Sequence, residues 1–203
     1  MLLCDIGNTS YHFLSEFDSF KKDVKRFDPS EVKHKIYYIS VNKKVEVKLK
    51  NLPNWIEISS HLDKTKYYKT MGVDRMMALE AIESGIIIDA GSAITVDVKR
   101  GGVFEGGFIY AGVSAMSQTY KKISNALDYE FNFDIDLEKL PKNSQDAITY
   151  GYLKTLYCEV VSHKMEIILT GGDAQKFTKI FKEARVDEHL VFKGMQKIIF
   201  NFY

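Results

Sequence analysis

Two short apolar runs, each ending on an acidic turn, divide the chain into similar halves. Leu2-Leu3-Cys4 leads into Asp5-Ile6-Gly7-Asn8-Thr9, and Ile86-Ile87-Ile88 leads into Asp89-Ala90-Gly91-Ser92-Ala93. An apolar run of this kind, bounded by Gly and Asp, is typical of a buried strand. The pattern therefore predicts one strand–turn–strand device that is used twice.

The rest of the pattern predicts the other elements. In the first half, alternating and β-branched stretches predict strands at 1–6, 11–15, 22–27, 35–41 and 55–59, and helical spacing predicts helices at 42–52 and 74–84. In the second half, strands are predicted at 85–89, 93–98, 102–109, 166–170 and 190–192, helices at 114–127, 143–163 and 173–184, and an acidic loop at 128–141. The recurrence predicts a duplicated α/β unit with halves 1–84 and 85–203.

The composition excludes several functional classes. With 28 basic and 27 acidic residues the formal net charge is +1, which gives no electrostatic basis for binding nucleic acid or an anionic membrane surface. No run approaches the ~18 apolar residues of a membrane helix. The two cysteines, Cys4 and Cys158, form no CxxC motif, which fits a reducing compartment. We therefore expect a cytoplasmic protein without nucleic-acid or membrane partners.

The residue types of the two turns suit a phosphate-binding site. Glycine lets the backbone approach an anion and point its N–H groups inward. Side-chain donors come from Asn8, Thr9, Ser92 and Thr95. A carboxylate faces a phosphate only with a cation between them, so Asp5 and Asp89 imply Mg²⁺, held through water. One such turn is common in ordinary loops, but two copies indicate a nucleotide-dependent phosphoryl-transfer enzyme.

Several motifs along the chain occur in an order that resembles one kinase family. They are Asp5-Ile6-Gly7-Asn8-Thr9, Gly72-Val73-Asp74-Arg75, Asp89-Ala90-Gly91-Ser92-Ala93-Ile94-Thr95-Val96-Asp97, Gly106-Gly107-Phe108-Ile109 and Thr170-Gly171-Gly172. Together they resemble type III pantothenate kinase, within the superfamily of acetate and sugar kinases, heat-shock chaperone ATPases and actin. The resemblance spans nearly the whole chain. It implies an α/β fold of duplicated ribonuclease H-like (actin-like ATPase) domains, with mixed sheets facing a central cleft.

The resemblance also implies an activity and a nucleotide site. The activity is ATP-dependent phosphorylation of pantothenate to 4′-phosphopantothenate, the first step of coenzyme A biosynthesis. The implied nucleotide- and phosphate-binding residues are Asp5, Ile6, Gly7, Asn8, Thr9, Gly91, Ser92, Thr95, Gly171 and Gly172. Asp5 would hold Mg²⁺ with ATP, and Asp89 would hold a monovalent cation, K⁺ or NH₄⁺, or Mg-ATP. From the residues alone, 170–172 equally fits a plain strand–helix turn.

For the substrate, the resemblance implies that Asp74 is the general base and that Arg75 binds the carboxylate of pantothenate. The other implied substrate-binding residues are Gly72, Val73, Gly106, Gly107, Tyr67 or Tyr68, and Ser144. Of the two tyrosines, Tyr68 is slightly favoured. Ser144 would reach the neighbouring subunit's substrate site, which implies a homodimer.

Structural alternatives stay open for three of these positions. Asp74 also fits a helix N-cap, Gly106-Gly107 a strand bulge, and Ser144 a helix cap. The chain departs from the family pattern at Ser92, where threonine is usual, and at Ala111-Gly112, where Pro-Gly is usual. Two functional alternatives remain, a kinase of another small hydroxy acid or sugar and a non-catalytic nucleotide-binding regulator of the same fold.

Overall fold

The computed structural model describes residues 1–202 and divides the chain into two compact units. The first unit comprises residues 1–82 and the segment from His189 onward, and the second comprises residues 83–188. The boundary near residue 83 lies close to the predicted one. The C-terminal segment, however, was predicted to belong to the second half, and it groups with the first unit.

The first unit contains a mixed five-stranded sheet. Its strands are β1 (Leu2–Ile6), β2 (Ser10–Leu14), β3 (Ser19–Asp23), β4 (Ile36–Ser40) and β5 (Trp55–Glu57), in the order β3-β2-β1-β4-β5. β1, β2 and β3 form an antiparallel meander, whereas β4 runs parallel to β1 and β5 parallel to β4. Aromatic side chains of Tyr11, Phe13 and Trp55 are buried together on this sheet.

The third strand lies earlier than the predicted stretch 22–27. The chain turns after Asp23, whose carboxylate accepts the Lys25 N–H at 2.7 Å and whose carbonyl accepts the Phe27 N–H at 3.0 Å. An aspartate that binds backbone groups of the next residues favours a turn over a continued strand. β3 therefore ends at Asp23, and the prediction for 24–27 is wrong.

Two helices of the first unit follow the predicted spacing. α1 (Lys43–Leu49) begins after Asn42, whose side chain accepts the N–H groups of Lys44 and Val45. α2 (Val73–Glu80) buries every residue from Arg75 to Glu80. It ends four residues before the predicted end, because the Ala81 N–H already bonds in a tight turn to the Ala78 carbonyl at 3.2 Å.

The second unit repeats the plan of the first sheet. Its strands are β6 (Gly85–Ala90), β7 (Ala93–Arg100), β8 (Val103–Ala111), β9 (Ile167–Thr170) and β10 (Arg185–Val186), in the order β10-β9-β6-β7-β8. β6, β7 and β8 form the antiparallel meander, β9 runs parallel to β6, and β10 parallel to β9. The same connectivity in both units confirms the predicted duplicated α/β fold with mixed sheets.

The helices of the second unit are α3 (Val113–Ile123), α4 (Ser144–Ser162) and α5 (Ala174–Phe177). α4 confirms the helix predicted at 143–163 and packs on β6 and β7 through Leu153, Leu156 and Val160. The helix predicted at 173–184 is wrong beyond Phe177. From there the chain continues in tight turns, such as the Ile180 N–H to the Phe177 carbonyl at 3.0 Å.

The chain ends in a helix, α6 (Leu190–Phe202), where a strand was predicted at 190–192. Leu190-Val191-Phe192 alone fits a strand, but the apolar positions continue at Met195, Ile198 and Ile199 with helical spacing. α6 packs against α2 at Gly194, where an added Cβ would lie 1.8 Å from the Met77 carbonyl oxygen. The close approach of the two backbones favours the helix. No helix within residues 1–202 combines the length and apolarity needed to cross a membrane.

We predict that Gly194→Ala destabilises the protein. The new methyl group would also lie 2.7 Å from the Met77 carbonyl carbon, so α6 must move away from α2. The expected cost of about 2–3 kcal/mol lowers the Tm by roughly 5–10 °C in thermal unfolding followed by circular dichroism. Gly151→Ala is the matched control, because Gly151 is exposed on α4 with nothing within 4 Å of an added Cβ. That control should keep or raise the Tm, and equal Tm values for the two variants would contradict the packing argument.

Candidate active site

The first acidic turn is the hairpin between β1 and β2. The Gly7 N–H donates to the Ser10 carbonyl at 3.0 Å, and Asn8 and Thr9 are exposed at the tip. An added Cβ at Gly7 would meet only the Ser10 oxygen, at an ordinary 3.8 Å. The turn therefore presents polar side chains outward, and its backbone leaves room at Gly7 for a ligand to approach.

The Gly72–Arg75 motif lies at the same edge of the sheet as this turn. The Val41 N–H, just after β4, donates to the Ile6 carbonyl at the end of β1 at 3.0 Å. A Cβ at Gly72 would lie 3.8 Å from the side chain of Val41. Since β1 and β4 are parallel, both motifs sit at the carboxyl ends of neighbouring strands, where α/β sheets usually bind ligands.

Asp74 is the second residue of α2 and does not cap the helix. The N-cap position belongs to Gly72, and the Asp74 Oδ1 accepts the N–H of the adjacent Arg75 at 2.8 Å. The same oxygen would lie 2.4 Å from a Cβ at Gly72. The N-cap interpretation of Asp74 is therefore wrong, and a side chain at position 72 would displace the Asp74 carboxylate.

The environment of Asp74 makes it a stronger base than an ordinary carboxylate. Burial raises its pKa, and the Arg75 N–H and the Arg75 charge offset only part of that effect. A carboxylate that binds a proton more tightly than usual accepts one more readily from a hydroxyl group. The group is thus suited to general-base chemistry.

The two candidate tyrosines point to different partners. Arg75 is 7% exposed, and its Nη1 donates to the hydroxyl of Tyr68, which is 42% exposed. The guanidinium carbon of Arg75 lies 5.6 Å from the centroid of the Tyr68 ring. Tyr67 is buried, and its hydroxyl donates to Glu80 Oε1 at 2.8 Å. The structure therefore brings Tyr68, and not Tyr67, to the arginine of the motif.

The second acidic turn joins β6 and β7 and closes with the Gly91 N–H donating to the Ala93 carbonyl at 3.0 Å. Asp89 pairs across the sheet with Thr95 on β7 and with Thr170 on β9, so the three side chains share one face. Thr95 Oγ1 is buried and has no hydrogen-bond partner among the described residues. A row of oxygen-bearing side chains thus lies at the carboxyl ends of the parallel strands β6 and β9.

Two further glycines, Gly171 and Gly112, pack closely against this turn. Gly171 has φ +87°, and a Cβ there would lie 2.3 Å from Asp89 Oδ1. A Cβ at Gly112 would lie 2.4 Å from the carbonyl oxygens of both Gly91 and Ser92. The requirement at Gly112 was missed from the sequence, where the only signal was that Gly112 keeps the glycine of the family's Pro-Gly pair.

The remaining predicted positions make fewer close contacts with their surroundings. Gly172 is open, with nothing within 4 Å of an added Cβ, and the helix that follows is only the four-residue α5. Gly106 has φ +143° and lies beside the register shift between β7 and β8, which supports the bulge interpretation. Gly107 is exposed on β8 and pairs with Asp97 of β7. Ser144 is exposed in the first turn of α4, and Asn143 is the cap.

The donor set fits a hard cation that keeps water or phosphate oxygens. No group of three His, Cys, Asp or Glu side chains suited to holding a metal occurs in residues 1–202. The unpartnered Thr95 oxygen, opposite Asp89, adds a neutral ligand to a carboxylate. Oxygen ligands with one carboxylate suit Mg²⁺ or a monovalent cation bound together with phosphate.

Comparisons with known proteins find similar sequences of one family. A family model described as type III pantothenate kinase matches residues 41–164. A protein from Sulfurimonas denitrificans, named type III pantothenate kinase, is 60% identical over 98% of this chain and 97% of its own length. One of the same name from Campylobacter jejuni is 37% identical over 98% and 96%.

Solved structures show the same fold. A Campylobacter jejuni crystal structure described as a conserved candidate Baf family transcriptional activator is 37% identical, with a TM-score of 0.89 over 99% of this chain and 98% of that one. A candidate 2-dehydro-3-deoxygalactonokinase from Sinorhizobium meliloti has a TM-score of 0.57 at 10% identity, over 100% and 96%. This second likeness shows that the two proteins share a fold.

The family model covers more than half of the chain, including the Gly72–Arg75 motif and the second acidic turn. The Sulfurimonas relative extends the match to 98% of the chain. With matches of this length and identity, and with its sheets duplicated as the resemblance implied, this chain belongs to the type III pantothenate kinase family.

Proposed function

We propose that this protein is a pantothenate kinase, which transfers the γ-phosphoryl group of ATP to the hydroxyl of pantothenate and yields 4′-phosphopantothenate and ADP. The observation that carries the proposal is the cluster of Asp74, Arg75 and Tyr68 at the carboxyl edge of the first sheet. It joins a base of raised pKa to a buried cation. A substrate with a hydroxyl group and a carboxylate needs both.

The proposed reaction gives each residue of the cluster one task. Asp74 takes the proton as the pantothenate oxygen bonds to the γ-phosphorus and the bond from that phosphorus to the ADP oxygen breaks. Arg75 binds the substrate carboxylate through its guanidinium fork, and Tyr68 orients that fork. Phosphoryl transfer depends chiefly on positioning and charge neutralisation, so a moderately strong base is sufficient.

Each acidic turn, with the glycines beside it, is proposed to bind phosphate groups of the nucleotide. Asp5 and Asp89 are the carboxylates that would hold Mg²⁺ through water, and Thr95 with Asp89 would take K⁺ or NH₄⁺. These cations neutralise charge on the phosphates. The backbone N–H groups near Gly91 and Gly171 supply donors that require no side-chain ordering.

We also propose that the enzyme is a homodimer in the cytoplasm. Three apolar side chains of the second unit, Val103, Ile109 and Ile123, are more than 60% exposed on β8 and at the end of α3, which supports an interface there. Ser144 is exposed and is proposed to reach the partner's substrate. Cys4 and Cys158 are both free thiols, which supports a reducing compartment.

The two alternatives are weaker on the same observations. A non-catalytic regulator would have no need for the costly burial of Asp74 and Arg75 side by side. A kinase of another hydroxy acid or sugar would keep the base, so only the choice of substrate separates it from the proposal.

We predict that ADP release by the purified protein requires pantothenate, Mg-ATP and K⁺ together. A coupled assay would measure turnover with K⁺ or Na⁺ in the buffer, with sugars and other hydroxy acids in place of pantothenate as controls. Turnover that depends on pantothenate and rises at least about tenfold with K⁺ over Na⁺ is expected. Turnover with another acceptor only, or none from a folded dimer, would favour one of the alternatives.

We predict that Asp74→Asn lowers kcat by about 10²- to 10⁴-fold, because the amide cannot accept the substrate proton. Its Tm at neutral pH should not fall. The pKa of Asp74 is raised in the folded state, so its contribution to stability is present below the unfolded pKa and is lost as the pH rises through the folded pKa. The neutral amide avoids that loss. A kcat within tenfold of the parent would remove Asp74 as the base.

We predict that Arg75→Lys raises the KM for pantothenate by about 10- to 100-fold, because lysine lacks the planar fork that binds a carboxylate at two points. The KM for ATP should stay within about threefold, since the proposed nucleotide contacts are elsewhere. Steady-state kinetics with each substrate varied in turn measures both values. An equal rise in both would indicate a general loss of structure instead.

A further inference from the structure

A buried hydrogen bond lies next to the proposed substrate cluster and has no task in the reaction. The Tyr67 hydroxyl donates to Glu80 Oε1 at 2.8 Å, and both residues are 8% exposed. Tyr67 is thus turned into the protein, whereas its neighbour Tyr68 is largely exposed and bonded to Arg75. Two adjacent tyrosines therefore hold the same helix by two different hydrogen bonds.

The two attachment points lie on the helix that carries the proposed base. Arg75 and Glu80 are five residues apart on α2, about 7.5 Å along its axis. Tyr68 binds near the start of the helix and Tyr67 at its last residue, so the dipeptide is fixed along most of α2. A backbone fixed in this way has little freedom to move the Tyr68 ring off the guanidinium.

Two lysines also contact Glu80. Lys66 Nζ lies 3.9 Å from Glu80 Oε1, and Lys197 Nζ of α6 donates to the Glu80 carbonyl at 2.9 Å. Burying a carboxylate is costly unless its oxygens are satisfied. A buried apolar residue at position 80 would fill the same space without that cost, so the glutamate points to a need for the hydrogen bond to Tyr67.

We propose that Tyr67 and Glu80 are positioning residues, which hold Tyr68 against Arg75 and so orient the guanidinium that takes the substrate carboxylate. This inference rests on the proposed function, since it assigns Arg75 to the carboxylate of pantothenate. It also changes the role of Tyr67. The residue acts through Tyr68 and does not touch the substrate.

The first test is Tyr67→Phe, which removes only the hydroxyl. The KM for pantothenate should rise about 5- to 20-fold, as expected for the loss of one buried hydrogen bond, with kcat and the KM for ATP within about twofold. Tyr38→Phe is the matched control. Tyr38 is buried in the same unit, with its ring centroid 5.8 Å from that of Trp55. It is not among the residues proposed to bind substrate or nucleotide. It should leave both KM values unchanged.

Two substitutions at Glu80 separate the hydrogen bond from the packing. Glu80→Gln keeps an acceptor oxygen for Tyr67, so its KM for pantothenate should stay within about twofold of the parent value. Glu80→Leu removes the acceptor, so its KM for pantothenate should rise as much as that of Tyr67→Phe. The double variant Tyr67→Phe/Glu80→Leu should be no worse than either single variant, because both remove the same bond. Additive effects of the two substitutions on the KM for pantothenate, or a raised KM in Glu80→Gln, would overturn the proposal.

An uncharged substrate provides the readout that a merely structural role would not give. Pantothenyl alcohol, which carries a hydroxyl group in place of the carboxylate, makes no ion pair with Arg75. Its inhibition constant against pantothenate should be the same in the parent and in Tyr67→Phe, and an equal weakening for both compounds would overturn the proposal.

The failures of the two proposals are distinguishable in this experiment. A parent protein that does not turn over pantothenate refutes the proposed function, and the positioning role with it. An active parent whose KM for pantothenate is unchanged by Tyr67→Phe refutes the positioning role alone.

Discussion

The parallel pairing of the first strand in each sheet is the constraint on which the rest of the structure depends. β4 lies parallel to β1 and β9 parallel to β6, while the intervening strands form antiparallel meanders. Parallel strands end at the same edge, so whatever follows them in sequence is brought together there. The acidic turns follow β1 and β6 and Thr170-Gly171-Gly172 ends β9, while Gly72 contacts Val41 just after β4. Residues more than 60 positions apart, such as Ile6 and Gly72, thus come to one edge.

The backbone at these edges is crowded at three glycines. Gly72, Gly112 and Gly171 each face an oxygen atom at a distance that no Cβ tolerates. At Gly72 and Gly171 that oxygen belongs to a carboxylate of the site, Asp74 in one unit and Asp89 in the other. Gly72 and Gly171 therefore leave room for acidic side chains, and Gly171 also takes a positive φ of +87°. Gly7 and Gly91, which have ordinary space, differ in this respect.

α2 concentrates charges that a purely structural helix would avoid. Asp74, Arg75 and Glu80 are partly or fully buried within eight residues. Burial raises the pKa of Asp74, and each of the other two forms a hydrogen bond with a tyrosine hydroxyl. Such an arrangement costs desolvation free energy, which an apolar helix of the same length would not require. The contact of α6 at Gly194 and the bond from Lys197 hold α2 in place and thereby support its charged residues.

The sequence by itself determined the elements whose signals are local: the strands that carry the acidic turns, the bounds of α4 and the duplicated plan. The order of its motifs also identified the family, because each motif is contiguous. Only the tertiary structure decided which tyrosine meets Arg75, that Gly112 supports the second turn, and that the C-terminal helix groups with the first unit. The last two features depend on contacts between residues far apart in the chain, such as Gly194 with Met77. Hydrophobic period and turn composition describe a residue's neighbours in sequence, and such distant contacts leave no mark on them.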